Sequence, residues 1–294
     1  MLISTSTGIC NTVLHRPEKY YTCEDSLKAI AEAGFGGVDL CFVAFGRPGC
    51  PMAAPDWRDW VRRQKELATQ LGLVTNQGHA HYYPAAESFH YTQEDWQQAT
   101  ALVHRDIEAA GICEIPWLVI HPDTHLKGGN YSRSLSLEWE YARFSELGEL
   151  AAKYDVGIAI ENMIDNQPIR RFGGNHEDLM DLLDRLGDDR RFGICWDTGH
   201  ANLNKLDQPA AIREIGSRLR ALHVNDNYGL TDSHTLPFLG TVEWGPIMEA
   251  LKEIGYQGDF TYEIHRFTEG FPPEFHHAAM RFARETAEHL LVMA

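Results

Sequence analysis

The sequence predicts one (β/α)8 barrel that spans residues 1–294 as a single domain. Eight short β-branched or apolar runs alternate with eight amphipathic helical stretches, and no linker or low-complexity segment divides them. Parallel neighbouring strands require helical crossovers, so this alternation indicates a parallel sheet. A doubly wound open sheet is the alternative, but the glycine-rich nucleotide-binding fingerprint that it would carry after an early strand is missing.

The predicted elements can be justified in chain order. The predicted strands are Leu2–Thr5, Gly37–Phe42, Leu73–Thr75, Trp117–Ile120, Gly157–Ile160, Phe192–Trp196, Ala221–Val224 and Asp259–Tyr262. The helices between and after them are predicted at Ser26–Ala33, Trp57–Gln70, Glu94–Ala110, Ser136–Tyr154, His176–Leu186, Pro209–Leu219, Pro246–Ile254 and Pro273–Met293. Gly34, Gly72 and Gly111 follow the first three helices, as helix C-termini favour.

Composition excludes several classes of protein. The chain has 44% hydrophobic and 23% charged residues, and no apolar run approaches the roughly 18 residues of a membrane span. Its first residues lack the features of a signal peptide, and its six cysteines lack disulfide-like spacing, so we expect a cytosolic protein with free thiols. A net charge of −16 disfavours non-specific attraction to nucleic acid or anionic membranes.

Polar residues follow six consecutive predicted strands, from the third to the eighth. In a parallel barrel, the C-terminal strand ends and the loops after them meet at one mouth. These positions carry His79, His81, His121, Glu161, Asp197, His200, His223, Asp232, His234 and Glu263. A single histidine here would more often be structural, but so many carboxylates and imidazoles converging without a cation would be energetically costly. The sequence therefore predicts a metal site.

Four of these residues fall where a strand side chain points into the mouth: Glu161, Asp197, His223 and Glu263. We expect them to be the core metal ligands. Mixed imidazole and carboxylate ligation suits Mn²⁺, Co²⁺, Zn²⁺ or Fe²⁺ better than Ca²⁺, and the sequence does not choose among these ions.

The motifs at the strand ends resemble those of a known superfamily. IHPD, IEN, WDTGH, LHVNDN, the D-x-H pair, GTVEW and YEIH together resemble the xylose-isomerase-like barrels, which include sugar phosphate isomerases/epimerases and endonuclease IV. The resemblance extends from about Ile3 to His265 and implies the same barrel fold. It leaves two branches of the superfamily open.

The first branch implies an isomerase or epimerase. In similar ketose 3-epimerases, Glu, Asp, His and Glu hold one metal and the two glutamates exchange protons with carbon, which implies this role for Glu161 and Glu263. A cation that chelates a carbonyl and its neighbouring hydroxyl stabilises an enediolate, and a carboxylate can then move the proton. His200 would hold a substrate oxygen, and His79 and His121 would also contact substrate. The alternative that both glutamates are ligands only remains open.

The second branch implies metal-assisted hydrolysis of abasic DNA. The three-zinc cluster of endonuclease IV would match nine residues of this chain: His79, His121, Glu161, Asp197, His200, His223, Asp232, His234 and Glu263. Such a cluster activates a water for attack on a phosphodiester. A third alternative, a barrel that binds a ligand without turnover, is disfavoured because both glutamates are present.

Charge placement favours a small sugar-like substrate over nucleic acid. No Lys or Arg occurs between Lys65 and Arg105 or between Arg220 and Lys252, spans that include the loops after the third and seventh strands. Those loops carry aromatic residues instead: Tyr82, Tyr83, Phe89, Tyr91, Tyr228 and Phe238. For a phosphorylated substrate, the loops after the seventh and eighth strands offer only Arg266, and the pair Arg170 and Arg171 follows the fifth strand.

The aromatic loop from Phe42 to Trp57 allows two interpretations. It can cover the site, or it can form a subunit contact in a homo-oligomer. The sequence does not distinguish them.

Overall fold

Eight parallel strands form the barrel that the sequence predicts. The structure is a computed structural model and describes residues 1–10, 21–46, 49–83, 92–127, 130–165, 170–187 and 191–293. The barrel strands are Ile3–Ser6, Gly37–Cys41, Val74–His79, Trp117–Ile120, Gly157–Glu161, Phe192–Asp197, Leu219–His223 and Phe260–Tyr262. The first seven strands pair in succession along the chain, and the first strand also pairs with the eighth. A parallel bridge between Val224 and Tyr262 closes the ring.

Helices surround this barrel between the strands. In the part of the chain that the structure describes, the α-helices are Cys23–Glu32, Trp57–Gln70, Gln93–Ile112, Arg133–Lys153, His176–Leu186, Thr198–Leu203, Gln208–Ile215, Trp244–Glu253 and Pro273–Met293. Two begin with capping boxes, in which Thr22 pairs with Asp25 and Thr92 with Asp95. None of the described helices has the length and apolar character needed to span a membrane.

Most predicted bounds differ from the structure by one to three residues, and the larger differences have physical reasons. The third strand continues past Thr75 to His79, because the barrel interior accepts the polar Gln77, whose Nε2 donates to Asp39 Oδ2 at 2.8 Å. The helix predicted to end at Leu219 ends at Ile215, and Leu219 starts the next strand. The helix Thr198–Leu203 and a short hairpin of residues 126–127 and 130–131 were not predicted.

The hydrophobic core has two parts. The larger part lies between the strands and the helices. The smaller part lies inside the barrel and consists of small side chains, Val119, Ala159, Cys195 and Ala221, with Trp117 packed below them. Small residues fill the middle of the barrel, so the long polar side chains of the strand ends gather above them.

The loop between the second strand and the second helix packs inward. Phe42, Phe45, Met52 and Trp57 are buried, and the ring of Phe45 lies 5.4 Å from that of Trp60. In the described part of this loop, the aromatic side chains therefore pack into the fold. Residues 47–48 lie outside the described residues.

Candidate metal centre

The mouth of the barrel brings the nine predicted residues into one connected cluster. Glu161 lies near its centre and contacts imidazoles on several strands. Its Oε2 is 3.0 Å from His121 Nε2 and 3.4 Å from His79 Nε2. Its Oε1 is 3.2 Å from His223 Nδ1 and 3.4 Å from His200 Nδ1. One buried carboxylate therefore faces four histidines.

Glu263, at the end of the eighth strand, also contacts the imidazole of His223. Its Oε2 lies 3.5 Å from His223 Nδ1 and 3.4 Å from His234 Nδ1. Glu161 and Glu263, 102 residues apart in the sequence by subtraction of their numbers, thus converge on the Nδ1 of His223.

Asp197 is held rigidly beside this group. Its Oδ1 accepts from the backbone N of His200 at 2.6 Å and its Oδ2 from Asn225 Nδ2 at 2.8 Å. The side chain of Asn162 bonds both backbone polar groups of Asp197, at 2.6 and 3.0 Å. These contacts explain the strand end and the turn into the short helix Thr198–Leu203, for which Asp197 is the N-cap.

The D-x-H pair completes the cluster from the loop after the seventh strand. His234 Nε2 lies 2.8 Å from Asp232 Oδ2, and His200 Nε2 lies 3.8 Å from the same oxygen. Buried Asp226 fixes this loop by accepting from the backbone N of Phe238 and of Val242, each at 3.1 Å. His234 has φ = 37°, a left-handed conformation that is costly for a residue with a side chain and is typical of functional sites.

Backbone carbonyls define which ring nitrogen of three histidines carries the proton. The Nδ1 atoms of His79, His200 and His234 lie 2.8–2.9 Å from the carbonyl oxygens of Ala80, Asn162 and Glu263 respectively. A carbonyl only accepts, so Nδ1 must donate, and Nε2 is the nitrogen that would bind a metal when the ring is neutral. This arrangement is the one that orients metal-binding histidines. In His234, Nε2 also lies 2.8 Å from Asp232 Oδ2 and donates to this carboxylate.

His223 has the opposite orientation. Its Nδ1 faces Glu161 and Glu263, whereas its Nε2 lies 3.5 Å from Asp39 Oδ2 inside the barrel. Asp39 therefore occupies, beside His223, the position that a backbone carbonyl occupies beside each of the other three histidines.

The ionisation of each core carboxylate depends on its burial and on the charges of the histidines around it. Burial alone would raise the pKa of Glu161, but His223 and His121 outweigh it and hold that pKa well below its ordinary value. Burial likewise opposes ionisation of Glu263, yet His223 and His234 lower its pKa to about 2. Burial raises the pKa of Asp197 to about 6 despite the nearby His200. Two ionised, desolvated carboxylates thus face the centre, where a cation would be stabilised.

The donor set fits a metal ion. Among the described residues, the buried atoms Glu161 Oε2, His223 Nδ1 and Asp232 Oδ1 have no hydrogen-bond partner, although each faces or adjoins the cluster. The Nε2 atoms of His79 and His121 are 3.2 Å apart, close to the spacing of about 3.3 Å for two nitrogens bound to one tetrahedral metal.

The cluster offers more than one set of ligands. His79, His121 and Glu161 form one group with ligand atoms within 4.8 Å of one another, and His200, Asp232 and His234 form another. Glu161 also belongs to a group with His223 and Cys195. The residues would therefore accommodate one ion at the core or several ions across the cluster.

Other predicted residues lie outside the cluster. His81 is buried, and its Nδ1 pairs with Asp106 at 2.7 Å. Arg266 lies in the turn after the eighth strand and is exposed. Arg170 pairs with Asp165 at 2.7 Å.

The predicted aromatic residues have different environments. Tyr82 stacks on His121 with ring centroids 4.6 Å apart and is 47% exposed, so it borders the site. Tyr83 packs against Trp96 instead. Tyr228 and Phe238 are exposed in the loop after the seventh strand. Phe89 and Tyr91 lie outside the described residues.

Several site residues were not predicted. Asn162 and Asn225 occur in the IEN and LHVNDN motifs, and His265 in YEIH, but no role was assigned to them. Cys195 could have been found by strand alternation, because it lies two residues before Asp197 and so shares its face. No sequence pattern pointed to Asp39 as a site residue, because its partner His223 is distant in the sequence.

The fold and the site place the chain in a family. The family model described as the xylose isomerase-like TIM barrel matches residues 27–286, and the chain belongs to this family.

Relatives with curated sequences include an uncharacterized protein and members of both branches. The chain is 27% identical to the uncharacterized protein y4fM of Sinorhizobium fredii, over 89% of this chain and 88% of that protein. It is 31% identical to a D-psicose 3-epimerase of Enterocloster bolteae over 38% of this chain and 35% of that protein. It is 30% identical to a probable endonuclease 4 of Oleidesulfovibrio alaskensis over 49% of this chain and 50% of that protein.

A solved structure shares the fold along nearly the whole chain. A D-tagatose 3-epimerase-like protein superposes with a TM-score of 0.76 at 19% identity, covering 99% of this chain and 97% of that one. At this identity, the likeness shows the fold.

Proposed function

We propose that this protein is a metal-dependent isomerase or epimerase of a small hydroxy-carbonyl compound such as a sugar. The observation that carries the proposal is the convergence of Glu161 and Glu263 on His223 Nδ1, at 3.2 and 3.5 Å. Two carboxylates from separate strands flank one position, as proton removal and return at a single carbon require.

The roles of the residues follow from this geometry. Glu161, Asp197, His223 and Glu263 would hold a divalent ion, Mn, Co, Zn or Fe, which would supply Lewis-acid stabilisation of an enediolate. Glu161 and Glu263 exchange the proton with the substrate carbon. His200 is fixed through its Nδ1 and so presents its Nε2 to a substrate oxygen or to a second ion.

The surroundings support a small substrate. Tyr82 offers an aromatic face beside His121, of the kind that packs against the apolar face of a sugar. Arg170 is already paired with Asp165, and the loops after the third and seventh strands carry no Lys or Arg. The relatives and neighbours named as 3-epimerases agree with this substrate class. The free thiols of the five cysteines whose side chains are described support a cytosolic location.

Proton exchange with solvent tests the proposal. The metal-loaded protein is incubated in D₂O with a panel of free and phosphorylated ketoses, and deuterium at carbon is followed by NMR. At least one substrate should gain deuterium only when the metal is present. Failure of every ketose to exchange, with the metal confirmed in place, would contradict the proposal.

A specific observation favours a second candidate, hydrolysis of a phosphodiester in abasic DNA. The groups His79–His121–Glu161 and His200–Asp232–His234 flank the core ligands, so all nine residues that match endonuclease IV lie in one cluster. A multinuclear centre would suit that reaction. Cleavage of a duplex containing an abasic site, with an intact duplex as control, distinguishes it from the isomerase.

A further inference from the structure

A cavity of about 420 Å³ lies at the opposite end of the barrel from the metal centre. Its lining residues include Asn76, Trp117, Arg220 and Asp259. Trp117 and Arg220 are the first and second residues of their strands, and Asp259 immediately precedes the eighth strand. The cavity therefore opens at the N-terminal strand ends, and Arg220 is separated from His223 by three residues, or about 10 Å along the strand.

Arg220 is the unusual member of this cavity. Its guanidinium lies 5.3 Å from the centre of the Trp117 ring, the residue is partly exposed, and its Nε is buried without a hydrogen-bond partner. Among the described residues, no carboxylate lies within ion-pair distance of Arg220. A buried Nε–H without an acceptor is costly, and an anion bound in the cavity would supply that acceptor and pair with the charge.

Two glycines make room for these side chains inside the barrel. A Cβ on Gly193 would lie 2.1 Å from Arg220 Cγ, and a Cβ on Gly157 would lie 2.6 Å from the Trp117 ring. The two glycines thus leave the space that the Arg220 and Trp117 side chains occupy.

The carboxylate across the cavity is already satisfied. Asp259 Oδ2 accepts from Ser4 Oγ at 2.7 Å and from Asn76 Nδ2 at 2.8 Å. Asp259 forms no ion pair with Arg220, so the guanidinium donors remain available to a ligand in the cavity.

We propose that the N-terminal end of the barrel is a second binding site, for a small oxyanion held by Arg220. The oxyanion is a phosphate or a carboxylate, whose oxygens match the guanidinium donors. The cavity is large enough for a molecule of a few carbon atoms, which would lie beside Trp117. The site is separate from the metal centre.

Calorimetric titration with inorganic phosphate and with glycolate, each at constant ionic strength, tests this site. The wild-type protein should bind at least one of them saturably, and the preferred ion identifies the source of the oxyanion. Arg220→Gln should weaken that binding by at least about tenfold. Arg218→Gln is the matched control, because Arg218 pairs with Asp184 at 2.6 Å and does not line the cavity, and it should bind as the wild type does.

Three outcomes would overturn the proposal: no saturable binding by the wild type, equal binding by Arg220→Gln, or equal losses in both variants. An anion bound at the metal centre would be unaffected by Arg220→Gln. If this variant does not fold, NMR of the wild type decides, with the Arg220 Nε–H signal assigned by its absence from Arg220→Lys. That signal should shift on phosphate or glycolate addition, and an unchanged signal with both ions would contradict the proposal.

Discussion

Glu161 Oε1 lies 3.2 Å from His223 Nδ1, while the other oxygen of the same carboxylate lies 3.0 Å from His121 Nε2. This one side chain therefore links the core ligands to the group formed with His79 and His121. Its position gives the two candidate functions a common centre, since a single ion or several ions would all include Glu161.

Replacing either glutamate tests the proton-transfer roles. Glu161→Gln or Glu263→Gln keeps the size of the side chain but removes the base, so turnover should fall by about 10²–10⁴-fold or more. Substrate turnover and circular dichroism are measured together. Glu253→Gln, on the surface and paired with Arg213, is the control and should keep full activity. Wild-type rates in both glutamate variants would refute the assignment.

Asp39 is predicted to position His223 without touching the metal. Asp39→Asn weakens the partner of His223 Nε2, and loss of such a partner typically lowers metal affinity about 10–100-fold. Competition with a chelator of known affinity measures the change. The control is Asp59→Asn, an exposed carboxylate on the second helix. Unchanged metal affinity in Asp39→Asn would show that the 3.5 Å contact has no such role.

Tyr82 is predicted to bind substrate through its ring. Tyr82→Ala should raise KM about 3–10-fold with a smaller effect on kcat, because a stacking contact is lost. Tyr82→Phe retains the ring and should remain close to the wild type. Equal KM values in all three proteins would place the substrate elsewhere.

Buried Glu140 predicts a pH dependence of stability. Burial raises its pKa to about 7 in spite of the ion pair with Arg143, compared with 4.5 as its ordinary value. The folded state then binds this proton more tightly than the unfolded state, so the contribution is full below about pH 4.5 and is lost as the pH rises through about 7. Urea unfolding at several pH values should show a shallower loss of stability in Glu140→Gln. Parallel pH profiles for both proteins would contradict the assignment.

The sequence predicted the fold well because the signals for it are local. Each strand and helix has its own apolar pattern, and Gly34 and Gly72 follow helix ends, whereas the helix predicted to stop before Gly111 continues to Ile112. The exceptions are equally informative. Gln77 lies in a strand although it is polar, because its side chain donates to Asp39 on the neighbouring strand. This contact cannot be recognised from the local sequence.

The candidate site was predictable to a similar extent. Strand ends identify the residues that can meet, and all nine do meet. The orientation of each imidazole was not predictable, because it depends on contacts such as His200 with the Asn162 carbonyl, 38 residues away. The orphan guanidinium of Arg220 was equally hidden, since only the folded barrel shows that no described carboxylate reaches it.

Metal content tests the central claim most directly. Elemental analysis of protein purified without chelator, after gel filtration, should give at least one divalent transition-metal ion per chain, and His223→Ala should retain markedly less. One ion per chain would agree with the single-metal isomerase, and three ions would favour the hydrolytic candidate. A folded protein that contains no such ion, and takes up none when Mn²⁺, Co²⁺, Zn²⁺ or Fe²⁺ is supplied, would contradict the account.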